Sequence, residues 1–242
     1  MKFDTILFDL GGTLIIYENE HSWRELAYLG CRRAGAMLGR SMGFEISTRE
    51  LSVKLLDTLD RMLEAEIENM AEIDIYGLVR EVLEYFETKA VDGLPSRFLE
   101  EYYKPTTDQI VLEDGAVDIL AKIKSAGMKI GLVSNSIFPA EFHRAEMRRF
   151  GIFDYFDFTV FSSELGIRKP KKEIYQKALE LAGSGRERTV FVGDRELEDI
   201  VGPREMGIAP ILKFVERREY SPDIDPLATI RELKELDKLL LS

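Results

Sequence analysis

Short, mostly apolar runs at residues 5–8, 129–133, 189–192 and 210–212, with a further strand pattern at 156–161, alternate beyond residue 105 with stretches of helical periodicity. Strands that read apolar throughout are buried on both faces. A buried strand, a helix and another buried strand form the unit of a parallel sheet. Right-handed crossovers then bring the carboxyl ends of all the strands to one edge. The expected fold class is therefore α/β, with a doubly wound parallel sheet. Three runs end in residues with chemistry to offer: Asp9, Ser134 and the pair Gly193-Asp194. Open α/β sheets bind ligands at that edge.

Local signals bound the intervening helices. Ala116, Ile119, Leu120 and Ile123 form a stripe, with Asp114 as the expected N-cap and Gly127 as the stop. Further helices are expected over about 139–150, stopped by Gly151, and over 171–182, started by Pro170 and stopped by Gly183. Residues 210–212 read as the last strand. Two Pro-containing turns then lead to a helix carrying Leu233, Leu236 and Leu240.

Residues 18–103 have no strand pattern. Ser22 with Glu25 and Ser47 with Glu50 have the spacing of capping boxes. Leu55, Leu59, Met62 and Leu63 make one apolar stripe, and Ile75, Leu78, Val79, Val82 and Phe86 make another. Pro95 reads as the start of a further short helix. The expected organisation is a core of residues 1–16 and 105–242, interrupted by an all-helical cap of residues 17–104.

The chain has 242 residues, 45% apolar and 32% charged, with no apolar run of membrane-spanning length. A net charge of −11 argues against nucleic acid as a partner. It also requires any anionic substrate to meet a local cation. The first residues enter a strand without a signal-peptide pattern, and a lone cysteine, Cys31, permits no internal disulfide. A cytoplasmic location is expected. The cap stripes could pack internally or pair two copies in a homodimer.

Asp194 and Asp199 lie five residues apart at a strand-to-helix turn. With Asp9 they put three carboxylates on one sheet edge, where they would repel and raise one another's pKa. A hard divalent cation such as Mg²⁺ relieves that. Glu196 and Glu198 read as a solvated first helical turn. Ser134-Asn135-Ser136 offers a hydroxyl and an amide to a phosphate oxygen. Lys169, in Arg168-Lys169-Pro170, precedes a helix whose N-terminus favours anions.

In this order the stretches Phe8-Asp9-Leu10-Gly11-Gly12-Thr13-Leu14, Val133-Ser134-Asn135, Gly166-Ile167-Arg168-Lys169-Pro170 and Val192-Gly193-Asp194 with Asp199 resemble the haloacid dehalogenase superfamily. The likeness spans residues 4 to about 240. The helical insertion resembles the family's C1-type cap. The resemblance implies a Rossmann-like core and Asp9 as a nucleophile that forms an aspartyl-phosphate. It implies substrate contacts from Ser134, Lys169, Gly12 and Asn135. It also implies Mg²⁺ held by Asp9, Asp194 and the carbonyl of Gly11, with Asp199 close by. The activity implied is a Mg²⁺-dependent phosphatase acting on a small phosphorylated metabolite.

Phosphatases of this family usually carry a second aspartate two residues after the nucleophile, where this chain has Gly11. Glycine keeps the carbonyl but removes general acid–base help, typically worth ~10²–10⁴-fold. His21, Glu18 and Glu20 are the sequence candidates for a surrogate acid. The competing readings are a slow phosphatase, a non-catalytic regulator that binds Mg²⁺ and phosphate, a 2-haloacid dehalogenase, and a phosphonate hydrolase using a Schiff-base lysine, with Lys54 and Lys89 as candidates. The acidic cluster argues against the dehalogenase.

Overall fold

The computed structural model describes residues 3–43, 45–66, 69–88 and 92–241. The chain divides into two compact units. One comprises Met1–Ile16, Met70–Glu72 and Leu112–Ser242, and the other Tyr17–Asn69 and Ile73–Val111.

The first unit is built on six parallel strands: β1 (Thr5–Phe8), β4 (Lys129–Ser134), β5 (Phe158–Phe161), β6 (Thr189–Gly193), β7 (Ala209–Lys213) and β8 (Ala228–Ile230). Two-residue strands β2 (Ile15–Ile16) and β3 (Val111–Leu112) lie where the chain leaves and regains this unit. The order is β5-β4-β1-β6-β7-β8, so β1 is central and the chain winds outward in both directions from it. Phe8 is level with Leu132 on β4 and with Val192 on β6. That register puts Asp9, Ser134 and Asp194 just past the same edge.

Alternation along the strands supplies both faces. Leu7, Val133, Val160 and Phe191 share a buried cluster with Ile174, Tyr175 and Ala178 of α8 (Lys172–Ala182). Ile6, Phe8, Ile130, Leu132, Val190 and Val192, which alternate with them, are also fully buried. Each large apolar side chain so buried contributes roughly 1.5–3 kcal/mol. On the same unit α5 (Ala116–Ser125) packs on β4, and α10 (Glu235–Leu240) packs on α5. Leu233, Leu236 and Leu240 are buried as expected. The remaining helices of this unit are α6 (Ala140–Arg149), α7 (Ser162–Leu165) and α9 (Gly202–Glu205).

Among the described residues the second unit is built on four α-helices: α1 (Trp23–Met42), α2 (Thr48–Glu66), α3 (Ile75–Tyr85) and α4 (Leu94–Gln109). The Ser22–Glu25 capping box forms with both of its hydrogen bonds. Ser47 accepts from the Glu50 N–H at 3.3 Å. Gln109 ties the ends of the unit together. Its amide donates to the carbonyls of Tyr17 and His21, at 2.5 and 3.2 Å, and its carbonyl accepts from the His21 N–H at 2.8 Å. Among the described residues no helix is long and apolar enough to cross a membrane.

Several local expectations give way. Helix α4 is 16 residues long and continues through Pro105, so the chain regains the first unit at Leu112 rather than at residue 105. Residues 70–72 belong to the sheet unit, where Ala71 bridges Ile167 and Glu72 N–H donates to the Gly166 carbonyl. The N-cap of α5 is Gly115 in the left-handed region, not Asp114. Residues 210–212 are not the last strand, because β8 pairs parallel to β7 beyond them. On α2 the buried positions are Leu51, Leu55 and Thr58, while Leu63 is exposed.

Candidate active site

Asp9 leaves β1 with its N–H donating to the Val192 carbonyl at 2.9 Å. This bond fixes the Asp9 backbone at the end of β1, between β4 and β6. The turn that follows needs glycine at residue 12, where φ is +82° and a Cβ would lie 2.4 Å from Asp194 Oδ2. Gly193 meets a second steric demand, since a Cβ there would sit 2.3 Å from Asp199 Cγ. The glycines that flank the acidic residues thus let backbone and carboxylates share one small volume.

Asp194 and Asp199 come from the end of β6 and from the π-helical turn Glu196–Val201. Both are completely buried. One carboxylate oxygen from each of Asp9, Asp194 and Asp199 falls within 4.8 Å of the others. Lys169, itself only 2% exposed, reaches them from the loop before α8. Its Nζ donates to Asp9 Oδ1 at 2.8 Å and to Asp199 Oδ1 at 2.6 Å. Asp199 Oδ2 accepts the Arg195 N–H at 2.9 Å, so this side chain both orients the lysine and closes its own turn. Thr13 Oγ1 lies 3.5 Å from Asp194 Oδ1.

Ser134 is buried at the end of β4. Asn135 is a clamp: its Oδ1 accepts the Lys169 N–H at 2.8 Å, and its Nδ2 donates to the Lys169 carbonyl at 3.0 Å. Both polar atoms of its amide are thus engaged by the lysine's backbone.

Charge at this edge is unbalanced. Burial disfavours a charged Lys169, but Asp199 and Asp9 outweigh it and hold the ammonium above its ordinary pKa. Burial pushes Asp199 up to about 7, against the pull of Lys169. Burial also raises Asp194, with the Asp9 charge adding to the effect and Arg218 opposing it. Three carboxylates share two paired cations, Lys169 and Arg218. The donors are all hard oxygens, which suits a divalent cation of the Mg²⁺ type.

Arg218 is the residue the sequence does not announce. Its Nε donates to Asp194 Oδ2. The loop that carries it is fastened by Tyr220, whose hydroxyl donates to the Asp194 carbonyl and accepts the Val215 N–H, both at 3.1 Å. Ser221 N–H adds a bond to Glu196 Oε2 at 2.7 Å. Glu196 therefore anchors a loop rather than standing merely solvated.

The surrogate-acid and Schiff-base candidates come from the second unit. Glu18, Glu20 and His21 are exposed residues of the helical unit. Lys54, also in that unit, pairs with Glu81 at 2.9 Å, as an ordinary polar helix position would. Lys89 lies outside the described residues.

A family model described as haloacid dehalogenase-like hydrolase matches residues 3–207. The chain belongs to this family. The haloacid dehalogenase-like fold extends over the whole chain. A phosphatase of this family from Thermococcus onnurineus superposes with a TM-score of 0.65 at 21% identity, covering 98% of each chain. A 2-haloacid dehalogenase from Pseudomonas syringae does so with a TM-score of 0.71 at 21% identity, covering 99% of this chain and 98% of the other. Among curated relatives, the Escherichia coli pyrimidine 5′-nucleotidase YjjG is 34% identical over 147 residues, 60% of this chain and 64% of its own length. A glyceraldehyde 3-phosphate phosphatase from Methanothermobacter thermautotrophicus is 36% identical over 43% of this chain and 45% of its own. Its namesake from Methanocaldococcus jannaschii is 25% identical over 96% and 94%. The chain thus spans about half to two thirds of the first two relatives and nearly all of the third.

Proposed function

We propose that this protein is a phosphatase of small phosphorylated metabolites, that it requires Mg²⁺, and that it acts in the cytoplasm. The observation that carries the reading is Lys169 Nζ seated between Asp9 and Asp199, with Asp194 completing a buried carboxylate group. Phosphoryl transfer relies on positioning and charge stabilisation, and this cluster offers both. The phosphatase relatives favour the same reaction class.

In this scheme an Asp9 carboxylate oxygen attacks phosphorus and the bond to the leaving alcohol oxygen breaks, giving an aspartyl-phosphate. The departing alkoxide takes a proton from water. A water molecule then attacks phosphorus, releasing phosphate and restoring Asp9. Lys169 holds Asp9 in line and offsets the growing negative charge, with Asn135 fixing the lysine's backbone. Ser134 hydrogen-bonds a phosphoryl oxygen. Asp9, Asp194 and the Gly11 carbonyl would hold the cation, with Asp199 in support. When bound, it supplies charge neutralisation for the phosphoryl oxygens.

The experiment is a panel of triose phosphates, nucleoside 5′-monophosphates, phosphonates and 2-haloacids, each with Mg²⁺ and with EDTA. Metal-dependent phosphate release supports the proposal. EDTA-insensitive chloride release would replace it with dehalogenation. Mg²⁺ binding without turnover of any substrate would replace it with a regulatory role.

Gly11 limits the rate for substrates with poor leaving groups. Gly11→Asp is expected to raise kcat on alkyl phosphates by ~10²-fold, with far less gain on p-nitrophenyl phosphate. Equal gains on both would mean that leaving-group protonation is not what residue 11 lacks.

Arg218 and the metal share Asp194. Arg218→Ala is therefore expected to tighten Mg²⁺ binding about 3- to 10-fold, read by calorimetric titration without substrate. Weaker binding would show that the guanidinium holds Asp194 in its liganding position.

A further inference from the structure

The catalytic scheme leaves a buried histidine–glutamate pair unused. Two residues beyond Ser134, the Ser136 hydroxyl lies 2.6 Å from His143 Nε2. On the ring's other side, His143 Nδ1 is 3.1 Å from Glu146 Oε2. His143 and Glu146 are 5% and 2% exposed, on the inward face of α6. The imidazole stacks on Phe161 with ring centroids 5.4 Å apart, which fixes its plane.

A carboxylate and an imidazole on a buried helix face are a costly choice where two leucines would pack. Their arrangement has a direction. With the ring proton on Nδ1 toward Glu146 Oε2, Nε2 is the acceptor for the Ser136 hydroxyl, and the three side chains form one continuous hydrogen-bonded line. The Ser136 hydroxyl oxygen accepts the Phe138 N–H at 3.1 Å. Ser136 N–H donates to Ser162 Oγ at 2.8 Å, and that hydroxyl donates to Glu72 Oε2 at 2.5 Å. With Asn135 clamped on the Lys169 backbone, residues 135, 136 and 138 are all fastened by side-chain hydrogen bonds.

We propose that Ser136, His143 and Glu146 are positioning residues, a hydrogen-bonded brace from α6 that holds the turn after β4 in the shape that binds the phosphoryl group. The proposal rests on the reading of Ser134 as a phosphate ligand. The Ser–His–Glu order has the polarity of a hydrolase triad. Here the serine oxygen is tied to a backbone N–H and the ring is buried, so the chain braces the loop and does not attack a substrate. Groups that support metal ligands in the same indirect way typically carry 10–100-fold in affinity or activity, and a loss of that order is expected here.

The test is calorimetric titration of the full chain with inorganic phosphate in the presence of Mg²⁺. Ser136→Ala is expected to weaken phosphate binding ~10-fold or more. Mg²⁺ affinity should stay within about twofold of wild type, and Ser136→Thr should restore phosphate binding by returning a hydroxyl. Glu146→Gln, which keeps side-chain shape, should weaken phosphate binding in the same direction and serves if Ser136→Ala folds poorly. Ser134→Ala separates the two layers of the argument. If it weakens phosphate binding while Ser136→Ala and Glu146→Gln bind like wild type, the brace is refuted and the Ser134 reading stands. If Ser134→Ala itself binds like wild type, the Ser134 reading falls and the brace with it. Covalent labelling of Ser136 by a fluorophosphonate would also overturn the proposal, since a brace is not a nucleophile.

Discussion

Asp9→Asn is expected to lower phosphate release by roughly 10³-fold or more, equivalent to at least about 4 kcal/mol of barrier. An amide oxygen cannot serve as the attacking carboxylate, yet it still accepts the Lys169 hydrogen bond now made at 2.8 Å. The substitution also removes one of the three carboxylates that share Lys169 and Arg218. Folding stability should therefore hold or rise slightly as like-charge repulsion is relieved. Steady-state assays beside urea unfolding separate the effects. A fall in activity matched by a fall in stability would mean that Asp9 is structural.

Lys169→Met should act in the opposite way, losing stability together with activity. The methionine can fill the same buried space, but both ion pairs vanish and Asp9, Asp194 and Asp199 keep only Arg218. Breaking a buried pair from one side typically costs 3–5 kcal/mol. That loss should appear as a lower urea midpoint. Mg²⁺ should recover part of it, because a ligand that binds only the folded state stabilises that state. Unchanged stability in the absence of metal would show that the lysine's charge is not what balances the carboxylates.

The sheet was legible because its inner strands are apolar on both faces and end in polar residues. The runs carrying Leu7, Val133 and Phe191 could be read without knowing their partners. Strand β8 was hidden because three residues, Ala228-Thr229-Ile230, are too short for any period to show. The expected cap boundary at 104 falls inside α4, which continues through Pro105 although proline removes a helix hydrogen bond, and which packs along α1. The return of Met70–Glu72 to the sheet unit depends on backbone bonds to residues 166–168, which leave no mark on composition.

The candidate site divides along the same line. Asp9, Lys169, Asp194 and Asp199 sit at strand ends and helix starts, so spacing and residue type mark them in advance. Arg218 stands in the run Glu216-Arg217-Arg218-Glu219, where nothing distinguishes it from its neighbour. Only the docking of Tyr220 and Ser221 selects the arginine that meets Asp194. His143 and Glu146 read as polar helix positions, and their roles depend on which face of α6 turns inward.

The central claim is that phosphate passes through a covalent bond to Asp9, and chemical trapping reads that bond directly. The enzyme turning over a good substrate with Mg²⁺ is quenched in acid, reduced with borohydride and digested for peptide mass spectrometry. Reduction of residue 9 alone, and only when substrate and metal were both present, is the predicted result. Phosphate release with an unmodified Asp9 throughout would contradict it.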